Sequence, residues 1–309
     1  MPPTVSVNLC CYNSEKYLRE TLDSIINQTY KDWELVVIND GSTDSTESII
    51  KNYINEGYPI IYQYQQNKGL SYSRNKALEL SKGHYIAFID HDDVWIEDKI
   101  SRQITAMSSG NYALCYGGVV YIDKNGREIG KRVQQSRSGC LFGQLLKHYD
   151  ADVTTVMIRK DVLESNDLRF DERLITSEDY CLFMQIAVKN QIVVLPGVLS
   201  KYRIHDDSLT NKSISKWAEE WNYTLNLIKE INIGIDKLYK TEFKAAEAHV
   251  RYYQAKYFFF KGDRLGAIME MRKNIFIDIK YFLLFILLFM PNYFWNYAHT
   301  LYTKRSRFS

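Results

Sequence analysis

Through the first 110 residues, short apolar runs alternate with stretches whose apolar positions recur at helical spacing. Val5–Cys11, Trp33–Asn39, Ile60–Gln63 and Tyr85–Ile89 are the runs, and they predict strands, the longer ones buried on both faces. Leu18, Leu22, Ile25 and Ile26 share one face of a helix that Asn13 or Ser14 is placed to cap. A second helix begins at about Asp44, with Ile49, Ile50, Tyr53 and Ile54 inward, and a third spans Leu70–Ser81. Such alternation predicts the α/β class, with a mostly parallel sheet covered by helices on both faces.

Past residue 110 the spacing loosens. Ala113–Ile122 and Val153–Ile158 read as strands, Asp123–Gly126 as a turn, and Ile192–Leu195 as a strand ended by Pro196-Gly197. Glu178–Lys189 reads as a helix with Leu182, Phe183, Ile186 and Ala187 inward. From about Ser215 the pattern is helical, through Trp217–Ile231, Thr241–Lys261 and Arg264–Lys273. The expected layout is an α/β domain over 1–212, in halves 1–110 and 111–212, a helical region over 213–274, and a tail over 275–309.

Composition changes this picture at one place, the tail. Net charge is +2, which gives no overall case for a nucleic-acid partner. Residues 270–309 hold six Lys or Arg against two acids, so a tail of +4 follows a body of −2. Tyr281–Met290 is ten consecutive apolar residues, about 15 Å of helix and half a hydrocarbon core. Tyr293, Phe294, Trp295 and Tyr297 follow, then Lys304, Arg305 and Arg307. Aromatics beside cations predict a segment lying at an anionic membrane surface rather than crossing it. The five cysteines (Cys10, Cys11, Cys115, Cys140, Cys181) have neither zinc nor redox spacing, as expected of free thiols in a reducing cytosol. The amino terminus runs straight into a strand, with no secretory leader evident.

The chemistry concentrates where the Tyr85–Ile89 run ends in Asp90, Asp92 and Asp93. Crowded carboxylates repel unless a cation neutralises them, and oxygen ligands suit Mg²⁺ or Mn²⁺. Asp93 is placed to cap a helix from Val94; Asp90 and Asp92 remain for metal or phosphate chemistry. Three more groups follow strands toward the same sheet edge: Cys11-Tyr12-Asn13, Asp40-Gly41-Ser42, and Asn67-Lys68-Gly69 through Arg74-Asn75. Downstream stand Glu178-Asp179, opening a helix that Ser177 can cap, and Tyr202-Arg203-Ile204-His205. The chain contains no G-x-G-x-x-G, Walker, H-E-x-x-H or G-x-S-x-G motif, which argues against nicotinamide enzymes, NTPases, zinc proteases and serine hydrolases.

Taken in order, VSVNLCCYN, ELVVINDGSTDST, NKGLSYSRNKAL, YIAFIDHDDVW, SEDYCLFMQIA and YRIH resemble glycosyltransferase family 2, of bacterial envelope-polysaccharide type, over about residues 4–210. The resemblance implies a GT-A fold and inverting transfer from a nucleotide sugar, usually a UDP-sugar, to a glycan or lipid-linked acceptor. It implies nucleobase contacts from Cys11, Tyr12, Asn13 and Asp40, and Arg74 near base or diphosphate. By the same resemblance Asp90 meets ribose or metal-bound water, and Asp92 ligates Mn²⁺ or Mg²⁺. His205, with Arg203, then approaches metal or diphosphate, and Asp179 is the catalytic base. Cys10 stands where the family often has Pro, and His91 where it has a small residue. The implied location is cytoplasmic, peripherally associated with the inner face of the cell membrane. Two alternatives stand beside this one. Asp90-His91-Asp92-Asp93-Val94 fits the D-x-D-x-[TV] pattern of haloacid-dehalogenase-like phosphatases, with Asp90 as nucleophile. A non-catalytic nucleotide-sugar-binding protein is the other.

Overall fold

The computed structural model describes residues 2–134, 137–205, 214–295 and 297. The chain forms two compact units, one of residues 1–141 with 150–205, the other of 142–149 with 206–309.

In the first unit, β1 (Val5–Cys11), β2 (Trp33–Asp40), β3 (Ile60–Gln65) and β4 (Tyr85–Asp90) are parallel neighbours in the order β3-β2-β1-β4. Strand period explains their burial on both faces. Leu35 and Val37 join the core built with Leu18, Leu22 and Ile25 of α1 (Leu18–Ile26) and Ile49 and Ile50 of α2 (Thr46–Asn55). Val36 and Ile38 point the other way and pack with Ala77 of α3 (Leu70–Leu80). Each such fully buried aliphatic contributes about 1.5–3 kcal/mol relative to exposure.

The sheet continues with an antiparallel strand, β8 (Met157–Arg159), then β6 (Tyr112–Ile122), β9 (Gln191–Arg203) and β5 (Val94–Trp95), while β7 (Glu128–Arg132) makes a hairpin with β6. Because β8 is antiparallel to both β4 and β6, and β9 is parallel to β6, the carboxyl ends of β1, β2, β3, β4, β6 and β9 all lie on one edge. Open α/β sheets bind ligands at that edge. The helices α4 (Lys99–Ser108), α6 (Lys160–Ser165) and α7 (Glu178–Lys189) complete this unit. The chain forms the expected α/β fold with a mixed sheet: four of its strand pairings are parallel and four antiparallel, the expected parallel order holding over β1 to β4.

Four local expectations are corrected. Asn13 and Ser14 do not cap α1: Tyr17 precedes it with no side-chain cap, and the Ser14 carbonyl accepts the Tyr17 and Leu18 N–H groups. No helix starts at Val94; Val94 and Trp95 pair with Lys201 and Ser200, so Asp93 caps nothing. Residues 153–155 form a 3₁₀ turn rather than strand. Pro196-Gly197 does not end its strand, because Arg102 donates to the carbonyls of Pro196 at 2.6 Å and Val198 at 3.0 Å and β9 runs on to Arg203. The register with β6 slips here, where Gly118 lets the chains close: a Cβ on it would meet the Gly197 carbonyl oxygen at 2.7 Å.

The second unit is helical: α5 (Phe142–Lys147), α8 (Ile214–Ile231), α9 (Ile235–Leu238), α10 (Lys240–Phe260), α11 (Arg264–Met271) and α12 (Ile279–Leu287). Phe142 stacks edge-on against Tyr239 at 5.0 Å, and Lys147 pairs with Glu242 at 2.9 Å. Asp263 and Asp278 cap α11 and α12 through side-chain oxygens. The expected segment 206–212 and residues 298–309 of the tail lie outside the described residues.

Candidate active site

Strand ends and the loops that follow them build the site from four directions. At the end of β1, Cys11 is buried, while Tyr12 and Asn13 are exposed. Asn13 adopts left-handed backbone, φ 50°, which Asn tolerates well. Its N–H donates to Ser42 Oγ at 3.0 Å, and its Oδ1 accepts the Thr43 N–H at 2.9 Å. These bonds lock the first expected nucleobase segment to the loop after β2. Burial pushes the Cys10 thiol up to about 12 and Cys11 well above its ordinary range, so both are neutral apolar groups rather than nucleophiles.

Asp40 is buried at the end of β2, and its bonds run to another loop rather than to its own turn. Oδ1 accepts from Lys68 N at 2.8 Å and Gln65 Nε2 at 2.8 Å; Oδ2 accepts the Gly69 N–H at 2.9 Å. The carboxylate thus anchors the loop that leads into α3. Gly41, at φ 79°, allows the close approach, since a Cβ there would stand 2.8 Å from Asn67 N.

Arg74, on the inner face of α3, is 4% exposed. Its Nη2 donates to Asp90 Oδ1 at 2.8 Å and its Nη1 to Glu178 Oε1, 104 residues away in sequence. The guanidinium carbon also lies 5.5 Å from the Phe170 ring centroid. Burial pushes Glu178 up to about 8 against the opposing pull of Arg74. Glu178 is the site residue that sequence reasoning missed, because an acid in the first turn of a helix is ordinarily a dipole partner. Its neighbour Asp179 is only partly covered, with Oδ1 accepting the Tyr180 N–H at 2.7 Å. Ser177 makes no side-chain cap bond. Poor hydration pushes Asp179 up to about 6, with Arg74 lowering it and the charges of Asp90 and Asp152 raising it.

Beyond β4, Asp92 Oδ2 lies 2.8 Å from His205 Nε2. Burial opposes ionisation of Asp92, yet the His205 hydrogen bond and the nearby His91 and His205 hold its carboxyl below the usual range. A carboxylate oxygen and an imidazole nitrogen are donor types that Mn²⁺ or Mg²⁺ accepts, so Asp92 and His205 are the residues that would hold such an ion. Among the described residues no cluster of three or more His, Cys, Asp or Glu could hold a metal alone. The remaining ligands would be water and the oxygens of a phosphorylated substrate. Asp93 is buried and accepts the Arg203 N–H at 2.9 Å; burial, then the charges of Asp92 and Asp90, push its carboxyl well up.

Arg203 does not face the site as a free cation. It is 2% exposed, donates from Nε to the Asp92 carbonyl at 2.8 Å, pairs with Glu20, and stacks on Tyr17 at 4.4 Å. It therefore positions the Asp92 loop and the strand end that carries His205. Lysine cannot reproduce this fork of donors. Arg203→Lys is expected to lower stability by about 1–3 kcal/mol, because the Asp92 carbonyl loses its buried Nε donor. Chemical unfolding checks it, the midpoint falling in the variant.

A parallel-sheet edge carrying an acidic loop and a buried Arg–carboxylate cluster is the ligand-binding edge of an open α/β sheet. Residues 6–166 match the profile of "Glycosyl transferase family 2". An uncharacterized glycosyltransferase of Rickettsia bellii is 30% identical over 215 residues, 70% of this chain but 31% of that longer protein. The Escherichia coli UDP-Glc:alpha-D-GlcNAc-diphosphoundecaprenol beta-1,3-glucosyltransferase WfgD is 29% identical over 220 residues, 71% of this chain and 84% of the enzyme. The crystal structure of S. aureus TarS 1–349 in complex with UDP-GlcNAc superposes with a TM-score of 0.64 at 19% identity, covering 89% of this chain and 91% of that one. The chain belongs to glycosyl transferase family 2 and is a nucleotide-sugar-dependent glycosyltransferase. The phosphatase alternative loses its ground with this assignment, and Asp90 is already paired with Arg74.

Proposed function

We propose that the chain transfers a sugar, with inversion, from a UDP-sugar to a hydroxyl of a glycan or lipid-linked saccharide, and that Asp179 is the general base. The observation that carries this reading is Asp179 itself: a partly covered carboxyl raised to about 6, one residue from the Arg74 partner Glu178 and within the field of Asp90. A base titrating near neutrality accepts a proton most effectively in the transition state. The acceptor oxygen attacks the anomeric carbon, the bond from that carbon to the diphosphate oxygen breaks, and the acceptor proton passes to Asp179. The centre becomes oxocarbenium-like on the way. Single displacement needs no protein nucleophile, in keeping with the neutral thiols of Cys10 and Cys11.

Asp92 and His205 would hold Mn²⁺ or Mg²⁺, which supplies charge neutralisation to the departing diphosphate. Tyr12 and Asn13 form the wall for the nucleobase, with the exposed Tyr12 ring available for stacking and Cys11 buried in the core behind them. Asp40 shapes that wall by fixing residues 65–69. Arg74 orients Asp90 toward the ribose side rather than meeting the diphosphate, since both its ion pairs are internal. A UDP donor and a lipid-diphosphate acceptor are what the name of the E. coli relative gives, which supports the same classes here. The intact acidic set argues against a purely binding role. Work at the cytosolic face of the membrane, through the carboxyl-terminal end, completes the proposal; among the described residues no helix is long and apolar enough to cross a membrane.

The pH profile tests the base. Below pH 6 a base of that pKa is protonated and cannot accept; above it the carboxylate is available. Turnover at saturating donor and Mn²⁺ is expected to rise with unit slope and level off above an apparent pKa of about 6. A flat profile from pH 5 to about 8 contradicts the assignment.

A further inference from the structure

The outer face of α12 is as apolar as the inner one. Tyr281, Leu284 and Leu288 are buried against Tyr252, Ala255 and Met271 in the core of the second unit. Ile279, Phe282, Leu283 and Ile286 recur at i, i+3, i+4 and i+7 on the opposite side and are exposed, Ile279 by 69% and Leu283 by 55%. Phe289 and Tyr293 extend the same face at 62% and 70%, and Phe276, just ahead of the helix, is 97% exposed. Surface helices of water-soluble proteins carry polar residues there, and contiguous exposed apolar patches mark a docking face.

We propose that this face docks on an anionic lipid bilayer, with α12 lying in the interfacial layer. It rests on the membrane-surface part of the reading above and not on the assigned base. The helix is nine residues, about 14 Å, too short to cross a hydrocarbon core of about 30 Å but long enough to lie in its boundary. The ring-rich composition suits that boundary, where aromatic side chains concentrate. Charge selects the occupant. Exposed Arg272, Lys273 and Lys280 flank the face, and residues 298–309 contain Lys304, Arg305 and Arg307 and no acid. Glu270 and Asp278 pair with Lys273 and Lys280, so the flank at 270–280 is net +1 and the larger part of the basic charge is that of Lys304, Arg305 and Arg307. A second copy would set one basic rim against another, whereas anionic headgroups complement it.

The test is flotation of the full chain with vesicles of phosphatidylcholine alone and of phosphatidylcholine with phosphatidylglycerol. Co-flotation with the anionic vesicles is expected, weakening as salt rises. The triple variant Phe282→Ser, Ile286→Ser, Phe289→Ser should lose at least about 10-fold in partition while its UDP-sugar hydrolysis in solution stays at the parent rate. Asp179→Asn should bind vesicles as the parent does, so failure of the base assignment and failure of the lipid face are separable. The proposal is overturned by no partition to either vesicle, by equal partition to both, by a triple variant that binds like the parent, or by a concentration-dependent dimer in ultracentrifugation that the triple substitution abolishes while vesicle binding is absent.

Discussion

Arg74→Met is expected to lower stability by about 3–5 kcal/mol, the cost of removing one partner from a buried ion pair. The arrangement explains why the loss is large. Glu178 is 3% exposed and receives the Arg74 guanidinium, so the variant strands a carboxylate among the core residues of α7. Burial raises Glu178 to about 8 even against the pull of Arg74, and without Arg74 it rises further, so the variant holds Glu178 neutral and the loss falls at the low end of that range. Asp90, a third exposed, recovers hydration and adds little to the loss. Methionine keeps most of the volume of the Arg stem, which isolates the charge effect from cavity formation. Chemical unfolding of the parent, Arg74→Met, Glu178→Gln and the double variant checks this as a cycle. The double variant should recover part of the loss. A single Arg74→Met variant as stable as the parent would remove the structural role given to this pair.

Asp179→Asn is expected to lower transfer by about 10² to 10⁴-fold, the range a positioned general base contributes. Asparagine has the same shape and presents an oxygen to the Tyr180 N–H, which Asp179 Oδ1 accepts at 2.7 Å, so the local backbone has no reason to move. What disappears is the ability to take the acceptor proton. Donor affinity should stay within about twofold, because the groups proposed to hold the nucleotide lie at other strand ends. The acid limb of the pH profile should vanish with the carboxyl.

Much of this site was legible along the chain because its parts are local. The four parallel strands announce themselves as apolar runs, and the acids and amides at their ends fall on one edge once the strands are parallel. The helix starting at Glu178 and its inward face followed from spacing alone. Illegible features depend on partners distant in sequence. Nothing near Glu178 names Arg74, and nothing near Arg203 names Glu20, 183 residues away. The two-residue strand Val94–Trp95 is set by pairing with β9, which overrides the local capping signal at Asp93. Pro196-Gly197 misled for the same reason: Arg102 takes up carbonyls that a turn would have left open, so the strand survives a pair that usually ends one.

Those corrections alter how the acidic loop works. Asp93, expected as a helix cap, lies in the interior, where it accepts the Arg203 N–H. Asp90 is held by Arg74, and Asp92 is in contact with His205. Asp90 and Asp92 have separate side-chain partners, while burial and the charges of those two acids push the Asp93 carboxyl well up, which favours its neutral form.

The account turns on Asp179 as the base that accepts the acceptor proton. Turnover of a UDP-sugar with Mn²⁺ by the parent and by Asp179→Asn, with donor affinity of each read by calorimetry, tests it most directly. Matched donor affinities and turnover at least about 100-fold lower in the variant are expected. Matched affinities with unchanged turnover would contradict it.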